Sequence, residues 1–237
     1  MADLMIRIFG EQVGTLLVDS FDKILIPGLT QTIPLTIVSF TFAMVIATFT
    51  AMVQFANVPV LRKAARVYIW IMRGTPVLVQ LYMVYFGLPN IGITIQSAFW
   101  ASVLVFSFNE GAYCAETIRG ALESVPKGQI EAGQCVGLSY LQVMFRIVLP
   151  QALRTAFPAL SNSVISMLKD TSLASSIGVA EMILATRKTA GVSYNVMWLY
   201  LEVALIYLMM STVVTWLQRI TERRLSAMMG QGVAGRA

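Results

Sequence analysis

Uncharged apolar runs of membrane-spanning length alternate with short polar segments along the 237-residue chain. Residues 33–53 carry no charge, and at 1.5 Å per residue a helix of this length crosses the hydrocarbon core of a bilayer. Comparable runs predict four further spans, at residues 67–88, 97–118, 155–177 and 196–217. Pro76 is expected to bend the second span, because proline lacks a backbone donor. The pattern therefore predicts an all-α integral membrane protein with about five transmembrane helices.

Three charged residues recur at a four-residue period before the first span, namely Asp3, Arg7 and Glu11. The apolar side chains lie largely opposite, which predicts an amphipathic helix at the membrane interface over residues 1–26. Further charges interrupt the apolar core that a cleavable secretory signal needs, so we expect this segment to stay attached. Residues 27–220 then form a single transmembrane domain. Residues 221–237 form a cytoplasmic tail, whose end from Gly230 is small and polar enough to be disordered.

The polar segment between the third and fourth spans, residues 124–150, predicts two short helices joined by a turn. The first helix is expected to end at Gly137, because glycine enters the left-handed conformation without steric cost. Ser139 stands three residues before Gln142, which is the spacing of a capping box at the start of a second helix. Pro150 is expected to end that helix, since proline disfavours helical geometry in the residue before it. The segment is predicted to be a helix-turn-helix outside the bilayer.

Seven positions of this segment resemble the EAA loop of ABC importer permeases, whose pattern is E-A-A, three residues, G, nine residues and I-x-L-P. They are Glu131, Ala132, Gly133, Gly137, Ile147, Leu149 and Pro150. The spacing matches throughout, and the one departure is Gly133 in place of the second alanine. On helix propensity alone, this glycine is expected to weaken the first helix by about 1 kcal/mol relative to alanine.

Five other stretches resemble the polar amino acid uptake branch of these permeases. They are RGTP at 73–76, QLYMVYFGLP at 80–89, AYCAETIRGAL at 112–122, PKGQ at 126–129 and LKDTSL at 168–173. The matches keep their order along the chain. The resemblance therefore covers most of the predicted transmembrane domain.

The resemblance implies a type I (MetI-like) ABC importer permease in the inner or plasma membrane of a prokaryote. Its substrate would be a polar amino acid, with cationic amino acids and cystine among the candidates. Implied partners are two copies of an ABC ATPase subunit, a second permease subunit, identical or related, and a solute-binding protein outside. ATP and Mg would bind to the ATPase, and no cofactor to this chain. The EAA residues, with the apolar Leu138, Tyr140 and Leu141, would couple the permease to the ATPase.

Composition and charge agree with a membrane protein. Hydrophobic residues make up 57% of the chain and charged residues 12%, against about 25% charged residues in soluble domains. Basic residues cluster at one end of predicted spans, at Arg62, Lys63, Arg66, Arg219, Arg223 and Arg224. The positive-inside bias places these ends in the cytoplasm, which puts the amino terminus outside and the carboxyl terminus inside. The net charge of +5 is thereby explained by topology, and no nucleic-acid partner is expected.

The residue inventory argues against catalysis by this chain. There is no histidine and no G-x-x-x-x-G-K-[ST] loop that would cradle phosphates. The two cysteines, Cys114 and Cys135, lack metal-ligand spacing. We therefore expect a non-catalytic subunit, in which the energy for uphill transport comes from a partner.

Charged residues inside the predicted spans are candidates for the substrate pathway. A central Lys or Asp costs about 2.5–3.5 kcal/mol on translocon scales, so such groups normally face protein or water. The candidate pathway residues are Asn109, Glu110, Tyr113, Lys169, Asp170, Thr171 and Ser172. Lys169 would match an α-carboxylate, and Asp170 or Glu110 an α-ammonium. Alternatively, Lys169 and Asp170 pair with each other or with neighbouring spans to stay buried.

Another class of function uses similar residues. An ATP-independent secondary transporter or channel carries ions on intramembrane carboxylates, and this chain offers Glu110, Glu116, Asp170 and Glu202. The discriminating feature is the polar segment, because an ion-coupled carrier does not need the EAA spacing.

Two further sites have competing interpretations. Arg73 is expected to extend towards the cytoplasmic interface rather than to contact substrate or a partner. On the outside, the loop 89–96 and the segment around Glu181, Arg187 and Lys188 either receive the solute-binding protein or form a solvated loop.

Overall fold

A computed structural model describes residues 10–55 and 58–234, and no strand is present among these residues. Asp3 and Arg7 lie outside the described residues. Ten α-helices follow one another in the described part: α1 (Glu11–Pro27), α2 (Ile33–Phe55), α3 (Pro59–Gly74), α4 (Val77–Tyr82), α5 (Ala98–Glu123), α6 (Lys127–Cys135), α7 (Tyr140–Val143), α8 (Leu149–Asp170), α9 (Met182–Ser193) and α10 (Val196–Ala234). Three π-helical turns and two 3₁₀ helices connect some of them: Gly28–Thr32, Met83–Gly87 and Met144–Val148, and Leu88–Ile91 and Thr171–Ile177.

The predicted interfacial segment and the first span form one helix in the structure. Helix α1, the π turn Gly28–Thr32 and α2 join without a break into the 45-residue helix Glu11–Phe55. This helix and Val196–Glu222 are each long and apolar enough to cross a membrane, and α3 with the segment Val77–Ile91 forms a third, bent candidate. The predicted third and fourth spans correspond to α5 and α8, which carry more polar side chains.

The bend predicted in the second span is present, and it is sharper than a kink within one helix. Helix α3 ends at Gly74, α4 begins at Val77, and the chain bends by 102° between them. Proline restricts the residue before it to extended geometry, and Thr75 accordingly has φ −117° and ψ 140°. The bend expected at Pro76 is therefore a complete break in the helix.

Pro150 does not end the second short helix, contrary to the expectation. Helix α7, the π turn Met144–Val148 and α8 form continuous helical backbone through this proline. A π turn bonds residues five apart rather than four, so the hydrogen-bond register has already changed where the proline enters. The Gln151 side chain donates to the Ile147 carbonyl at 2.9 Å, which satisfies an acceptor close to the proline.

Two predicted irregular regions are more helical than expected. After Asp170 the chain does not unwind but tightens into the 3₁₀ helix Thr171–Ile177. Three hydroxyls in this helix donate to the carbonyl three residues earlier, at 2.7 Å each: Thr171, Ser175 and Ser176. At the carboxyl end, α10 continues to Ala234. The tail predicted to be disordered is thus helical as far as the described residues extend.

The chain divides into two compact units. The first contains the described residues up to Phe40, with Pro76–Phe106 and Ile165–Val213. The second contains Thr41–Thr75, Ser107–Val164 and the described residues from Val214. One boundary falls between α3 and α4. The others fall inside α2, α5, α8 and α10, so each of these helices contributes residues to both units.

In the first unit, α1 packs against α9. The Ser20 hydroxyl also donates to a Glu202 carboxylate oxygen at 2.6 Å, and both side chains are buried. A Cβ atom added at Gly28 would lie 2.6 Å from the Met182 sulfur. One face of α1 is therefore fixed by contacts with α9 and α10, and its location at the membrane interface stays a prediction.

Candidate functional site

The first short helix of the polar segment ends as the sequence predicts. Gly137 has a positive φ of 83°. The Leu138 amide donates to the Gly133 carbonyl at 3.1 Å, and the Gly137 amide donates to the Gln134 carbonyl at 2.9 Å. These two bonds form a Schellman motif, which satisfies carbonyls that a helix end otherwise leaves unpaired. Gly137 therefore sets the direction in which the chain leaves α6.

The predicted capping box is also confirmed. The Gln142 amide donates to the Ser139 hydroxyl at 3.4 Å, and the Ser139 amide donates to the Gln142 side-chain oxygen at 2.9 Å. The two bonds satisfy donors at the start of α7. We call α6, the turn and α7, residues 127–143, the coupling hairpin.

Gly133 has a structural reason to replace the alanine of the family pattern. A Cβ atom at this position would lie 2.8 Å from Ile147 Cδ1 and 3.0 Å from Val143 Cγ2. Gly133 and Val143 are buried. The glycine thus allows α6 to approach α7 and the following π turn closely. Its low helix propensity is only one part of its effect.

The coupling hairpin and the residues after it expose a group of large apolar side chains. Four are between 56% and 77% exposed, and we call them the docking patch: Val136, Tyr140, Leu141 and Phe145. Exposed apolar groups rimmed by polar residues often mark interaction sites. Glu131 and Ala132 are exposed as well, whereas Leu138, Ile147 and Pro150 are half-buried.

Sequence reasoning missed two members of the docking patch. Val136 directly precedes the glycine that ends α6, and Phe145 stands four residues after Leu141, which is one helical turn. Both signals are in the sequence, but neither residue belongs to the EAA pattern.

A charged network lies at the end of α5, in the second unit. Arg119 contacts Glu116 at 2.8 Å and Glu123 at 2.6 Å. The Gln54 amide donates to Glu116 at 3.3 Å, and Arg62 Nε donates to the Gln54 carbonyl at 3.0 Å. Glu116, one of the carboxylates considered for ion transport, is therefore an ion-pair partner that links α5 to the end of α2.

The candidate pathway residues on α5 also lie in the second unit, beside the broken end of α3. The Asn109 side chain donates to the Met72 carbonyl at 2.9 Å, so it satisfies an acceptor in the last turn of that helix. The Arg73 guanidinium carbon lies 5.0 Å from the centre of the Tyr113 ring, within cation–π range. Glu110 accepts a weak hydrogen bond from the Cys114 thiol at 3.7 Å.

The candidate pathway residues of the fourth span lie in the first unit, where a cavity of 540 Å³ contains only two of them. Lys169 and Ser172 line this cavity, and we call it the Lys169 cavity. The other lining residues are Ile165, Ile183, Tyr200, Val203, Ala204, Tyr207, Leu208 and Ser211. Asp170 is exposed, and Thr171 is buried with its hydroxyl on the Leu168 carbonyl. Among the described residues, no ion pair within 4.0 Å joins Lys169 to Asp170.

Glu181 is not available on the outer surface, which corrects one part of the predicted binding-protein contact. Its side chain is fully buried and caps α9, with the Leu184 amide donating to it at 2.9 Å. The Tyr207 hydroxyl donates to its other oxygen at 2.9 Å. Burial raises the pKa of the Glu181 carboxyl, although these hydrogen bonds oppose the rise. Arg187 and Lys188 are exposed, as expected.

The described residues contain no group of three or more His, Cys, Asp or Glu side chains arranged to hold a metal ion. Cys114 is buried and Cys135 is exposed, and both are free thiols.

Comparison with known proteins gives consistent matches. The family described as "Binding-protein-dependent transport system inner membrane component" matches residues 43–227. The chain is 42% identical over 207 residues to the L-cystine transport system permease protein TcyB of Bacillus subtilis, covering 87% of this chain and 88% of TcyB. It is 38% identical over 210 residues to TcyL, an L-cystine permease of the same organism, covering 84% and 88%.

Solved structures agree with these relatives. An amino acid ABC transporter crystallised with histidines has a chain that matches with a TM-score of 0.80 and 34% identity, covering 87% of this chain and 94% of that one. The inward-facing MetNI methionine transporter matches with a TM-score of 0.72 at 20% identity, covering 85% and 96%. The second match supports the fold alone.

Proposed function

Because the chain belongs to the family of binding-protein-dependent transport system inner membrane components, we propose that it forms the membrane pathway of an ATP-driven importer of polar amino acids. The relatives named for their substrates transport L-cystine, octopine, nopaline or glutamine. Each of these compounds carries amino acid groups. Cystine is the preferred candidate, because TcyB and TcyL both transport it.

The observation that carries this proposal is the closed geometry of the coupling hairpin. The Schellman motif at Gly137 and the capping box at Ser139 fix the angle between two short helices. The docking patch lies on this hairpin and the turn that follows it. A rigid hairpin with an exposed apolar surface can bind another subunit and follow its movement.

The partners follow from this function. Two ATPase subunits would hydrolyse ATP with Mg, one on the hairpin of this chain and one on that of a second permease subunit, identical or related. This chain would contribute no catalytic residue and bind no cofactor. A solute-binding protein would deliver substrate from outside, with the amino terminus on that side, the carboxyl terminus in the cytoplasm, and lipid around the spans.

The substrate would pass the candidate pathway residues. In the Lys169 cavity, the Lys169 ammonium and the Ser172 hydroxyl suit the α-carboxylate of an amino acid. In the first unit, Asp170 would interact with the α-ammonium, with Thr171 as a neighbour. In the second unit, Glu110 would be a separate contact for an α-ammonium, with Asn109 and Tyr113 as neighbours. Asn109 and Thr171 also satisfy nearby backbone carbonyls, so each would have a structural role as well.

Uptake of labelled cystine, glutamine, arginine and histidine by a reconstituted complex tests this proposal. We expect ATP-dependent uptake of at least one of them, with cystine first. Glu110→Gln, Lys169→Gln and Asp170→Asn should change the rate or the order of preference. Unchanged uptake in all three variants of an assembled complex would contradict the pathway assignment. Absence of ATP-dependent uptake by the wild type would contradict the function itself.

A further inference from the structure

We infer that Glu181 and Tyr207 form a positioning pair, through which helix α9 holds the wall of the Lys169 cavity. The inference rests on the proposed function, because it concerns how an outer helix acts on the substrate cavity. Both residues and the cavity belong to the first unit. The pair joins the start of α9 to α10 by a hydrogen bond of 2.9 Å.

The Glu181 side chain is fully buried, and its burial has a free-energy cost. A fully buried carboxylate in a membrane protein is expensive unless its oxygens have partners. One oxygen accepts from the Leu184 amide and caps α9. Capping alone does not require glutamate, since Ser, Thr, Asp and Asn are the preferred capping residues. The other oxygen accepts a hydrogen bond from the Tyr207 hydroxyl, and this contact needs a side chain as long as that of glutamate.

Tyr207 connects Glu181 to the Lys169 cavity. Its side chain lines the Lys169 cavity, together with Lys169 and Ser172. Its hydroxyl is held by Glu181, so the ring cannot change its rotamer without breaking that bond. A shift of the first turn of α9 would therefore be transferred to the cavity wall.

The opposite face of α9 is exposed and basic. Arg187 and Lys188 are exposed on this helix, and Val192 is 84% exposed. Thr186 and Ala190 are buried on its inner face. The helix thus joins an accessible basic surface to a buried carboxylate. A protein that docks on the outer face would displace the helix that positions Tyr207.

Two substitutions separate positioning from capping. Glu181→Asp keeps a preferred capping residue and the carboxyl group but is one methylene too short to reach Tyr207. Tyr207→Phe keeps the ring on the cavity wall and removes the hydroxyl. In proteoliposomes with the ATPase, we expect Glu181→Asp to reduce stimulation of ATP hydrolysis by the loaded binding protein about fivefold or more, the scale of a coupling between sites. Basal hydrolysis in this variant should stay unchanged.

The double variant gives the decisive result. If the two residues act through one bond, Tyr207→Phe should add nothing to the loss of stimulation caused by Glu181→Asp. Tyr194→Phe is the matched control, because Tyr194 is 88% exposed at the end of α9 and should leave stimulation unchanged. Unchanged stimulation in Glu181→Asp, additive losses in the double variant, or equal losses of basal and stimulated hydrolysis would each overturn the inference. A wild-type complex without ATP-driven uptake would instead refute the proposed function.

Discussion

The coupling hairpin and the surroundings of Glu181 differ in the sequence separation between the residues that form their hydrogen bonds. In the hairpin, the bonds that set the turn join residues at most five positions apart, such as Leu138 and Gly133. Around Glu181 and α1, the bonds join Tyr207 to Glu181 over 26 positions and Ser20 to Glu202 over 182 positions. The hairpin is thus specified locally, whereas the first unit depends on the packing of distant helices.

This difference has consequences for substitutions. A change in the hairpin should alter coupling without disturbing the bundle, because its bonds close on themselves. A change in the first unit should affect stability and transport together, because each contact joins separate helices.

The largest effect is expected from Gly137→Val. A β-branched residue at φ 83° costs more than about 1 kcal/mol and would tilt the two short helices. Transport-coupled ATP hydrolysis should fall by more than about fivefold, the factor that corresponds to about 1 kcal/mol. Membrane insertion should persist. Gly137→Asn is the control, because asparagine tolerates left-handed geometry and should retain most of the activity.

Insertion and coupling are measured separately, by the amount of protein in the membrane and by hydrolysis in the reconstituted complex. Unchanged coupling in Gly137→Val would show that the turn does not transmit force.

Gly28→Val tests the packing of the first unit. The added Cβ would stand 2.6 Å from the sulfur of the buried Met182, so the Met182 side chain or the backbone beside it must shift. Overpacking of this kind typically costs about 1–3 kcal/mol, and we expect a lower apparent Tm of the purified protein. Gly120→Val is the matched control, because no atom lies within 4 Å of a Cβ at that helical position. Valine has a higher helix propensity than glycine, so an equal decrease in both variants would argue against overpacking at Gly28 as the cause.

Gly133→Ala should have two effects of opposite sign on the stability of the hairpin. Helix propensity alone predicts stabilisation by about 1 kcal/mol, whereas the approach of Ile147 Cδ1 to 2.8 Å predicts overpacking. We expect a moderate loss of coupled hydrolysis, of about 1 kcal/mol or roughly fivefold, because overpacking by a methyl group usually costs about 1–3 kcal/mol.

The Ile147→Val substitution removes the Cδ1 atom and should restore coupling in the double variant. Ile147→Val alone is the control. Improved coupling in Gly133→Ala alone would mean that propensity dominates.

The smallest effect concerns pH. Burial raises the pKa of the Glu181 carboxyl, so the folded protein binds this proton more tightly than the unfolded chain does. The resulting stabilisation is present below the ordinary carboxyl pKa and is lost as the pH rises through the folded-state pKa. The Tm difference between wild type and Glu181→Gln should therefore shift against the wild type as the pH increases. A shift in the opposite direction would contradict the assigned pKa change.

The same comparison explains what the sequence could predict. Gly137, Ser139 and Gln142 act within one turn of chain, so their residue types were sufficient to predict the hairpin. Pro76 indicated a bend, but the size of the break depends on Asn109 and Thr75 satisfying the freed carbonyls of α3. Pro150 was misjudged because a π turn before it depends on the packing of Val143 and Val148, both of which are buried.

The candidate site shows the same limit. Glu181 was interpreted as a loop residue, because the sequence around it does not indicate a hydrogen bond from Tyr207, 26 positions later. Lys169 and Ser172 were placed in one group with Asp170 and Thr171, but their side chains are divided between a cavity, the surface and the buried side of the helix. Residue type predicted that these groups need partners, and only the packing of the helices determines which partners they have.

ATP-driven uptake measured with and without a functional hairpin tests most directly whether this permease moves substrate by force received at Gly137. Proteoliposomes would contain the wild-type, Gly137→Asn or Gly137→Val permease, each with the ATPase and the binding protein, and labelled cystine outside. We predict uptake that requires ATP, persists in Gly137→Asn and is lost in Gly137→Val while all three complexes stay assembled. Uptake that an ion gradient drives without ATPase, at the same rate in all three, would contradict coupling through the hairpin and favour a secondary transporter.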